Sequence, residues 1–484
     1  MDQLVQVIKQ LSDEEYLNFY RLLKEQKAEK SADYLKIIRE GEDNDDDITV
    51  QLEVNKNSLY TLKSRLLKKI ESFLVTQLKD YQMDLLRKAV NNPDLLYENS
   101  RDICVITLKK LERDLLHYDL PYELITIYKA LKKMYINTPE YYNYSQLYNK
   151  HIAYTLAIDK AEDLLGEFFK TYGNYQLTRN HLDKEQLQLF KNELENLCNL
   201  YESHRLFVYK CIVSIFYNIY LEDRTNNESE FEDTENHLSE VKAVFSKYPA
   251  DPVYLHIKPI FDYLTFSYYH HLKLNKKAGE CFDLVNDNIV RFLTYFNLNF
   301  YTSQFLITKI ERYVRLGHEE RLYEENKGIV DDLSFDPNNV SGYVNFVKYL
   351  ALSCYYAGNI EEAARQIQKL RNRLSLKKYV FADIELKVLL CLFYCLLNED
   401  DLCQQLIGST KRQLRVYDKD KVKHIRLVLK IVIVSISGKE FGKAEKIEKY
   451  IKDFNLLNIN EYSFLHYLKL DKQFIQQLTP LVKS

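Results

Sequence analysis

Five segments in the second half of the chain align at nearly constant spacing, and this repetition constrains the fold more than any other feature. Each segment has an apolar stretch, a short turn with Gly or Asn and acidic residues, and then an amphipathic stretch. One aligned column, with intervals of 44, 41, 40 and 41 residues, consists of Ala278, Leu322, Ala363, Cys403 and Ala444. A period near 41 predicts helical hairpins stacked in series, because each hairpin must bury its apolar face against the next one.

Composition supports a helical chain. Only 11 Gly and 8 Pro occur among 484 residues, and a fold rich in strands and loops needs more of these turn-forming residues. We therefore predict an all-α protein, an α-solenoid of stacked helical hairpins with a small N-terminal helical domain.

Residues 350–370 (LALSCYYAGNIEEAARQIQKL) resemble a tetratricopeptide repeat. The large, small, turn and closing apolar positions of that motif are occupied by Leu350, Ala351, Gly358, Ala363, Ile367 and Leu370, and a second unit by Ile431, Val432, Phe441, Ala444 and Ile451. The resemblance covers residues 250–455 and implies tetratricopeptide-like hairpins with longer helices, since the family period is about 34 residues. It also implies that His270 and Tyr355 face the inner groove where ligands bind; a core or surface role is the alternative for both.

Turn signals divide the chain into three parts. The sequence Asn91-Asn92-Pro93-Asp94 separates an N-terminal helical unit, residues 1–90, from the remainder. Residues 91–250 are predicted to form irregular long helices, with breaks near residues 119–121, 137–139, 172–174 and 180–181 and a polar, acidic loop at residues 222–236. The hairpins are predicted over residues 251–484, and the last helix, residues 461–478, is expected to cap them.

Charge, cysteine spacing and the first residues indicate the cellular compartment of the protein. The formal net charge of −3 creates no general attraction to nucleic acid or anionic membranes. Eight cysteines without a disulfide-type spacing favour reduced thiols and a cytoplasmic protein, and the first residues lack the pattern of a signal peptide. The most apolar runs, residues 386–397 and 425–437, are too short to span a membrane, and the second contains Arg426 and Lys430.

Residues 48–70 (ITVQLEVNKNSLYTLKSRLLKKI) resemble the helix-turn-helix of sigma factors and response regulators. The pattern predicts a short helix ending in Leu52 and Val54, a turn at residues 55–57 and a second helix beginning at Ser58. Glu53 occupies a position where the motif prefers Gly, because the turn there is left-handed.

The second helix of this motif carries a local cationic strip. Five basic residues and no acid occur between residues 55 and 70. The resemblance implies that one set of side chains faces base edges, namely Asn57, Ser58, Tyr60, Thr61 and Ser64. It implies DNA contact, chiefly to phosphates, for the basic set, namely Lys56, Lys63, Arg65, Lys68 and Lys69. The alternative is that the basic residues complement the helix dipole and pair with the acidic segment 41–47.

No motif of an enzyme or metal site is present in the sequence. A phosphate-binding Gly loop, an HExxH motif and a nucleophile elbow are all missing. The residues Cys391, Cys395 and Cys403 have no histidine near them in sequence, so we interpret them as buried thiols rather than metal ligands. We therefore predict a protein that is not an enzyme and has no catalytic, cofactor-binding or metal site.

Two functional hypotheses follow. The first is a non-catalytic helical-repeat scaffold or adaptor that binds a protein or peptide on its concave face. The second is a transcriptional regulator in which the helix-turn-helix unit binds DNA and the repeats act as a sensor or interaction region. Neither hypothesis involves a membrane or a small-molecule cofactor.

Overall fold

The chain forms two compact units, Met1–Tyr97 and Glu98–Ser484, which are described separately. The computed structural model describes residues 3–11, 13–41, 44–76, 101–222, 228–249, 251–295, 300–332, 339–420, 422–437, 442–457, 464–470, 474 and 478. These residues form helices, turns and coil without a strand, so the predicted all-α class is confirmed. The predicted boundary at residues 91–94 lies outside the described residues.

The first unit contains a small helical core. Its helices are α1 Gln3–Gln10, α2 Asp13–Glu25, α3 Glu29–Arg39, α4 Asp45–Gln51 and α5 Lys56–Thr76. Arg39 links α3 to the turn between α1 and α2, because its guanidinium donates to the Leu11 carbonyl at 2.9 Å and to an Asp13 carboxylate oxygen at 2.7 Å. Phe19, Leu35 and Leu66 are fully buried beneath these helices.

The second unit contains longer helices that pack mainly against their sequence neighbours. Up to residue 300 they are α6 Arg101–His117, α7 Pro121–Met134, α8 Glu140–Thr178, α9 His181–Leu200, α10 His204–Tyr220, α11 Glu228–Lys247, α12 Pro252–His271, α13 Asn275–Asn286 and α14 Ile289–Tyr295. They continue as α15 Gln304–Leu316, α16 Arg321–Asp332, α17 Val340–Tyr356, α18 Ile360–Arg373, α19 Val380–Leu396, α20 Asp400–Gln413, α21 Lys423–Ser435 and α22 Lys443–Asn455. Short 3-10 helices occur at Leu376–Lys378 and Phe464–Tyr467.

Four of the five predicted hairpins pair in the described residues. Helix α12 packs on α13, α17 on α18, α19 on α20 and α21 on α22, and the first helices of several successive pairs also contact one another. Three residues of the predicted column are buried in these pairs, namely Ala278, Ala363 and Cys403. Leu322 is also buried, in α16, which packs against α17. Ala444 is exposed instead, since α22 turns Ile447, Ile451 and Phe454 inward. The aligned column therefore marks a buried position in four of the five segments.

The first helices of two hairpins are enclosed on all sides. Residues 344–354 of α17 and residues 384–394 of α19 are all buried, and a helix that is buried all round belongs to a core rather than to an open groove. The long helix α8 contributes to this enclosure, because it packs against both α17 and α19. Despite the apolar character of α19, no helix in the described ranges is both long enough and apolar enough to cross a membrane.

Helix α8 runs unbroken through Gly173, so the predicted break at residues 172–174 is wrong. A Cβ atom on Gly173 would lie 2.4 Å from the Ser341 Oγ atom and 3.1 Å from the Tyr301 ring. The glycine therefore permits α8 to lie close to the residues packed against it, and it does not form a turn. Beside it, the Gln176 amide donates to the Tyr172 hydroxyl at 2.7 Å, and this hydroxyl donates to the Gln304 side chain at 3.1 Å.

The predicted acidic loop at residues 222–236 is also wrong in its second part. Helix α11 begins at Glu228, and residues 223–227 lie outside the described residues. Acidic residues interact favourably with the positive end of a helix dipole, so an acidic stretch is compatible with a helix start. Thr234 is 2% exposed and accepts a hydrogen bond from the Asn218 amide of α10 at 3.2 Å, which holds α11 against its neighbour.

The C-terminal segment differs from the predicted capping helix. In the described residues 464–470 the chain forms a 3-10 helix followed by coil, whereas much of the predicted helix 461–478 lies outside the described residues. Leu465 is fully buried, and the Tyr356 hydroxyl donates to the Tyr467 carbonyl oxygen. Lys469 forms an ion pair with Glu319 of the turn before α16. The segment thus covers the core by side-chain burial and tertiary contacts.

We expect acid to weaken the second unit through three histidines that are buried or half-buried. Burial lowers the pKa values of His151, His204 and His237 below the ordinary value of 6.5. The unfolded chain then binds more protons than the folded chain as the pH decreases through 6.5, so stability is lost toward acid. The His204 ring also stacks on Tyr248 at 4.2 Å, in a site that favours the neutral ring.

Replacing His204 with Gln isolates this effect from the titration of carboxylates. Melting temperatures of the full chain and of H204Q at about pH 7.5 and about pH 5.5 provide the measurement. We expect a smaller decrease for H204Q than for the natural chain, whereas H181Q should behave as the natural chain does because His181 is exposed. Equal decreases for H204Q and the natural chain would contradict the assignment.

Candidate functional site

Helices α3, α4 and α5 contribute apolar side chains to the core of the first unit, and a short turn joins α4 to α5. Tyr34 and Ile38 of α3, Ile48 of α4, and Leu59 and Leu66 of α5 are all buried. The spacing of Leu59 and Leu66 puts both on one face of α5, and this leaves the opposite face of the helix outside the core.

The turn between α4 and α5 is left-handed at Glu53, whose φ angle is 50°. This is the position at which the sequence motif prefers Gly. The turn covers residues 52–55, earlier than the predicted residues 55–57, and α5 begins at Lys56 rather than at Ser58. Asn55 explains the earlier start, because its side-chain oxygen accepts a hydrogen bond from the Ser58 amide at 2.8 Å and so caps the helix.

Most of the predicted DNA-contact residues lie on the outside of α5. The exposed members are Lys56, Asn57, Ser58, Tyr60, Thr61, Ser64, Arg65 and Lys68. Tyr60 is 77% exposed, which is unusual for a large aromatic side chain. The Thr61 hydroxyl donates to the Asn57 carbonyl at 3.0 Å. The exposed face of α5 thus carries amide, hydroxyl, phenol and cationic groups.

Lys63 and Lys69, which are half-buried, make contacts within the unit. The Lys63 ammonium lies 2.6 Å from an Asp45 carboxylate oxygen and 6.0 Å from the centre of the Tyr34 ring. Lys69 donates to the Gln26 side-chain oxygen at 2.9 Å. The Lys63–Asp45 pair is one that the alternative interpretation of the cationic strip requires. We therefore assign Lys63 and Lys69 to holding the unit together, with the exposed cations at Lys56, Arg65 and Lys68.

The two residues predicted to line an inner groove are explained by packing in the second unit. His270 is 4% exposed, and its Nδ1 atom accepts a hydrogen bond from the Arg315 guanidinium at 2.7 Å. The cavity beside it has a volume of about 60 Å³, which is far too small for a peptide. The half-buried Tyr355 ring packs against Phe393 at 5.7 Å and against Tyr356 at 5.2 Å.

A broader hollow of about 670 Å³ lies at the last hairpin, beside α21 and the end of α22. Its lining residues are Lys419, Asp420, Lys423, Arg426, Leu427, Lys430, Asp453, Leu456 and Leu457. From the sequence, Arg426 and Lys430 indicate only that residues 425–437 do not span a membrane. The spacing of Lys423, Arg426 and Lys430, at i, i+3 and i+7, is a signal that places all three on one helix face.

Two buried or half-buried thiols of the second unit are in surroundings that keep them protonated. Burial raises the pKa of the Cys354 thiol to about 11 and that of the Cys395 thiol to about 12, so both are protonated at neutral pH and poor nucleophiles. The Cys403 thiol donates to the Cys391 carbonyl at 3.4 Å. No group of three or more His, Cys, Asp or Glu side chains in the described part of the chain is placed to hold a metal ion.

Comparison with known proteins adds no relative. No family model, no curated protein and no solved structure matches this chain.

Proposed function

We propose that this protein binds duplex DNA through the exposed face of α5. The observation that carries the proposal is the combination of a left-handed turn at Glu53 with an α5 whose polar residues point outward. In helix-turn-helix proteins the second helix enters the major groove, and its N-terminal residues contact base edges. The exposed residues Asn57, Tyr60 and Thr61 lie in the corresponding part of α5.

Charge supports phosphate contact on the same face. Arg65 and Lys68 are exposed and lie one turn beyond the polar residues, at a spacing that puts both on one side of the helix. Arginine and lysine in such positions bind backbone phosphates and set the position of the helix on the duplex. Arg65 and Lys68 are therefore assigned to phosphates, and the residues before them to base edges.

Reversing both charges with R65E/K68E is expected to weaken DNA binding by the full chain at least about tenfold at low salt. Two phosphate contacts are lost, so the slope of log affinity against log salt concentration should decrease by about two. Fluorescence anisotropy with a labelled random-sequence duplex of roughly 30 base pairs, about three helical turns, measures both quantities.

The matched control is R21E/K30E, which changes the net charge by the same amount at two exposed positions of the same unit. Its affinity should stay within about twofold of the natural chain, because its side chains lie outside α5. Equal weakening by the two variants would reduce the effect to overall charge and overturn the assignment to α5. Binding that is insensitive to salt would also overturn it.

A second candidate function is non-catalytic binding of a protein or peptide by the helical hairpins, and the basic hollow of the last hairpin favours it. Stacked hairpins offer long surfaces that suit partner segments. The enclosed helices α17 and α19 give no support to a groove on the inner side of those hairpins. We therefore assign partner binding to the hollow. Both candidate functions belong to a protein that is not an enzyme.

A further inference from the structure

We infer that the hollow at the last hairpin binds an acidic peptide segment that also carries a leucine-like apolar residue. This inference deepens the second candidate function, protein binding, and is independent of DNA binding by α5. It specifies the chemical character of the partner and the location of the binding surface.

The charge of the hollow is unbalanced. Four basic residues and two acidic residues line it. Lys419, Lys423 and Lys430 are exposed, and none of them forms an ion pair with a carboxylate in the described part of the chain. Several cationic side chains on one concave surface attract a negatively charged ligand.

Two of the cations are held in place by the protein. The Arg426 guanidinium donates to the Leu414 carbonyl at 2.8 Å, and its Nε atom is buried without a hydrogen-bond partner among the described residues. The Lys430 ammonium lies over the Tyr450 ring at 5.4 Å. Such contacts restrict the side chains before a ligand arrives and so reduce the entropy lost on binding.

An apolar strip accompanies these charges. Leu427, which is 5% exposed, and the half-buried Leu457 belong to the lining of the hollow. Leu456 is 72% exposed in the same lining. A partner residue that covers Leu456 would remove apolar surface from water, which a purely acidic ligand cannot do. The surface therefore fits an acidic segment with an apolar side chain.

The length of the cationic row argues against a single phosphate group. Lys430 lies seven positions after Lys423 along α21, which corresponds to about 10 Å of helix. An extended peptide covers that distance with about three residues.

The lining also argues against a nucleic acid. Asp420 and Asp453 would repel a continuous phosphate backbone, and the lining contains none of the aromatic side chains on which unpaired bases stack. A peptide can place its acidic residues selectively and avoid these two carboxylates.

The test titrates the full chain with a labelled peptide of about eight residues, glutamates with a central leucine, in a fluorescence anisotropy assay at low salt. We expect saturable binding that K423E/K430E weakens at least about tenfold, because two attractive contacts become repulsive. The control K446E/K449E reverses two exposed charges of α22 outside the hollow and should change the affinity by less than about twofold. A peptide with Gln in place of Glu should not bind.

Leu456→Ser tests the apolar half of the inference. It should weaken the leucine-containing peptide but leave an all-glutamate peptide unchanged. Equal effects of K423E/K430E and K446E/K449E, displacement of the peptide by inorganic phosphate, or duplex DNA binding that depends on Lys423 and Lys430 would each overturn the inference. R65E/K68E should lose DNA binding and keep peptide binding. The two proposals can therefore fail independently of each other.

Discussion

Replacing Lys348 with Met is expected to lower the free energy of unfolding of the second unit by about 3–5 kcal/mol. Lys348 of α17 and Glu385 of α19 form an ion pair, and each residue is only 2% exposed. The methionine is similar in length and apolar, so it fills the space but leaves the Glu385 carboxylate buried without its cation. An uncompensated buried charge is far more costly than the loss of an exposed pair.

The double variant K348M/E385M provides the diagnostic comparison. When both charges are removed, no ion remains buried without a partner, and most of the lost stability should return. R365M is the surface control, because Arg365 is 64% exposed in its pair with Glu362 and should contribute less than about 1 kcal/mol. Urea denaturation followed by tyrosine fluorescence measures all three, since the chain has no Trp. A double variant as unstable as K348M would contradict the charge argument.

The local features of the fold could be predicted from the sequence because they depend on near neighbours. The hairpin period places Ala278 and Ala363 at helix contacts, since small residues there permit close packing. The two helices that flank Glu53 are amphipathic and can be recognised in the sequence. The helix-turn-helix pattern therefore identifies Glu53 as the left-handed position. The start of α5 differs from the prediction because the capping role of Asn55 depends on the orientation of one side chain.

The remaining features depend on residues that are distant in sequence. Gly173 resembles a turn signal, and only its approach to Ser341 explains why α8 continues through it. The basic residue Lys63 resembles its neighbours on the cationic strip until Asp45 is brought to 2.6 Å. The hollow requires Lys430 of α21 and Leu456 after α22 on one surface. A single sequence does not encode these long-range positions in its local pattern.

A cluster of aromatic rings joins α8, α10 and the segment before α15, and Phe216 lies at its centre. The Phe216 ring is within 5.0 Å of Phe169, 4.8 Å of Tyr172, 4.7 Å of Tyr220 and 5.7 Å of Phe300, measured between ring centres. Phe216 is fully buried. Because the contacts come from α8, from α10 itself and from the segment before α15, the neighbouring backbones cannot all move inward to fill a gap.

The substitution F216A should therefore destabilise the second unit by about 3–5 kcal/mol, the range for removing a buried phenyl ring from a core that cannot collapse. F216L restores part of the lost volume and should cost clearly less. Y142A removes an aromatic ring that is 72% exposed on α8 and should change stability by less than about 0.5 kcal/mol. Calorimetric unfolding of the three variants measures the order. If F216A is no more destabilising than Y142A, the aromatic cluster does not join these helices, because a ring central to their packing must cost more than one exposed to water.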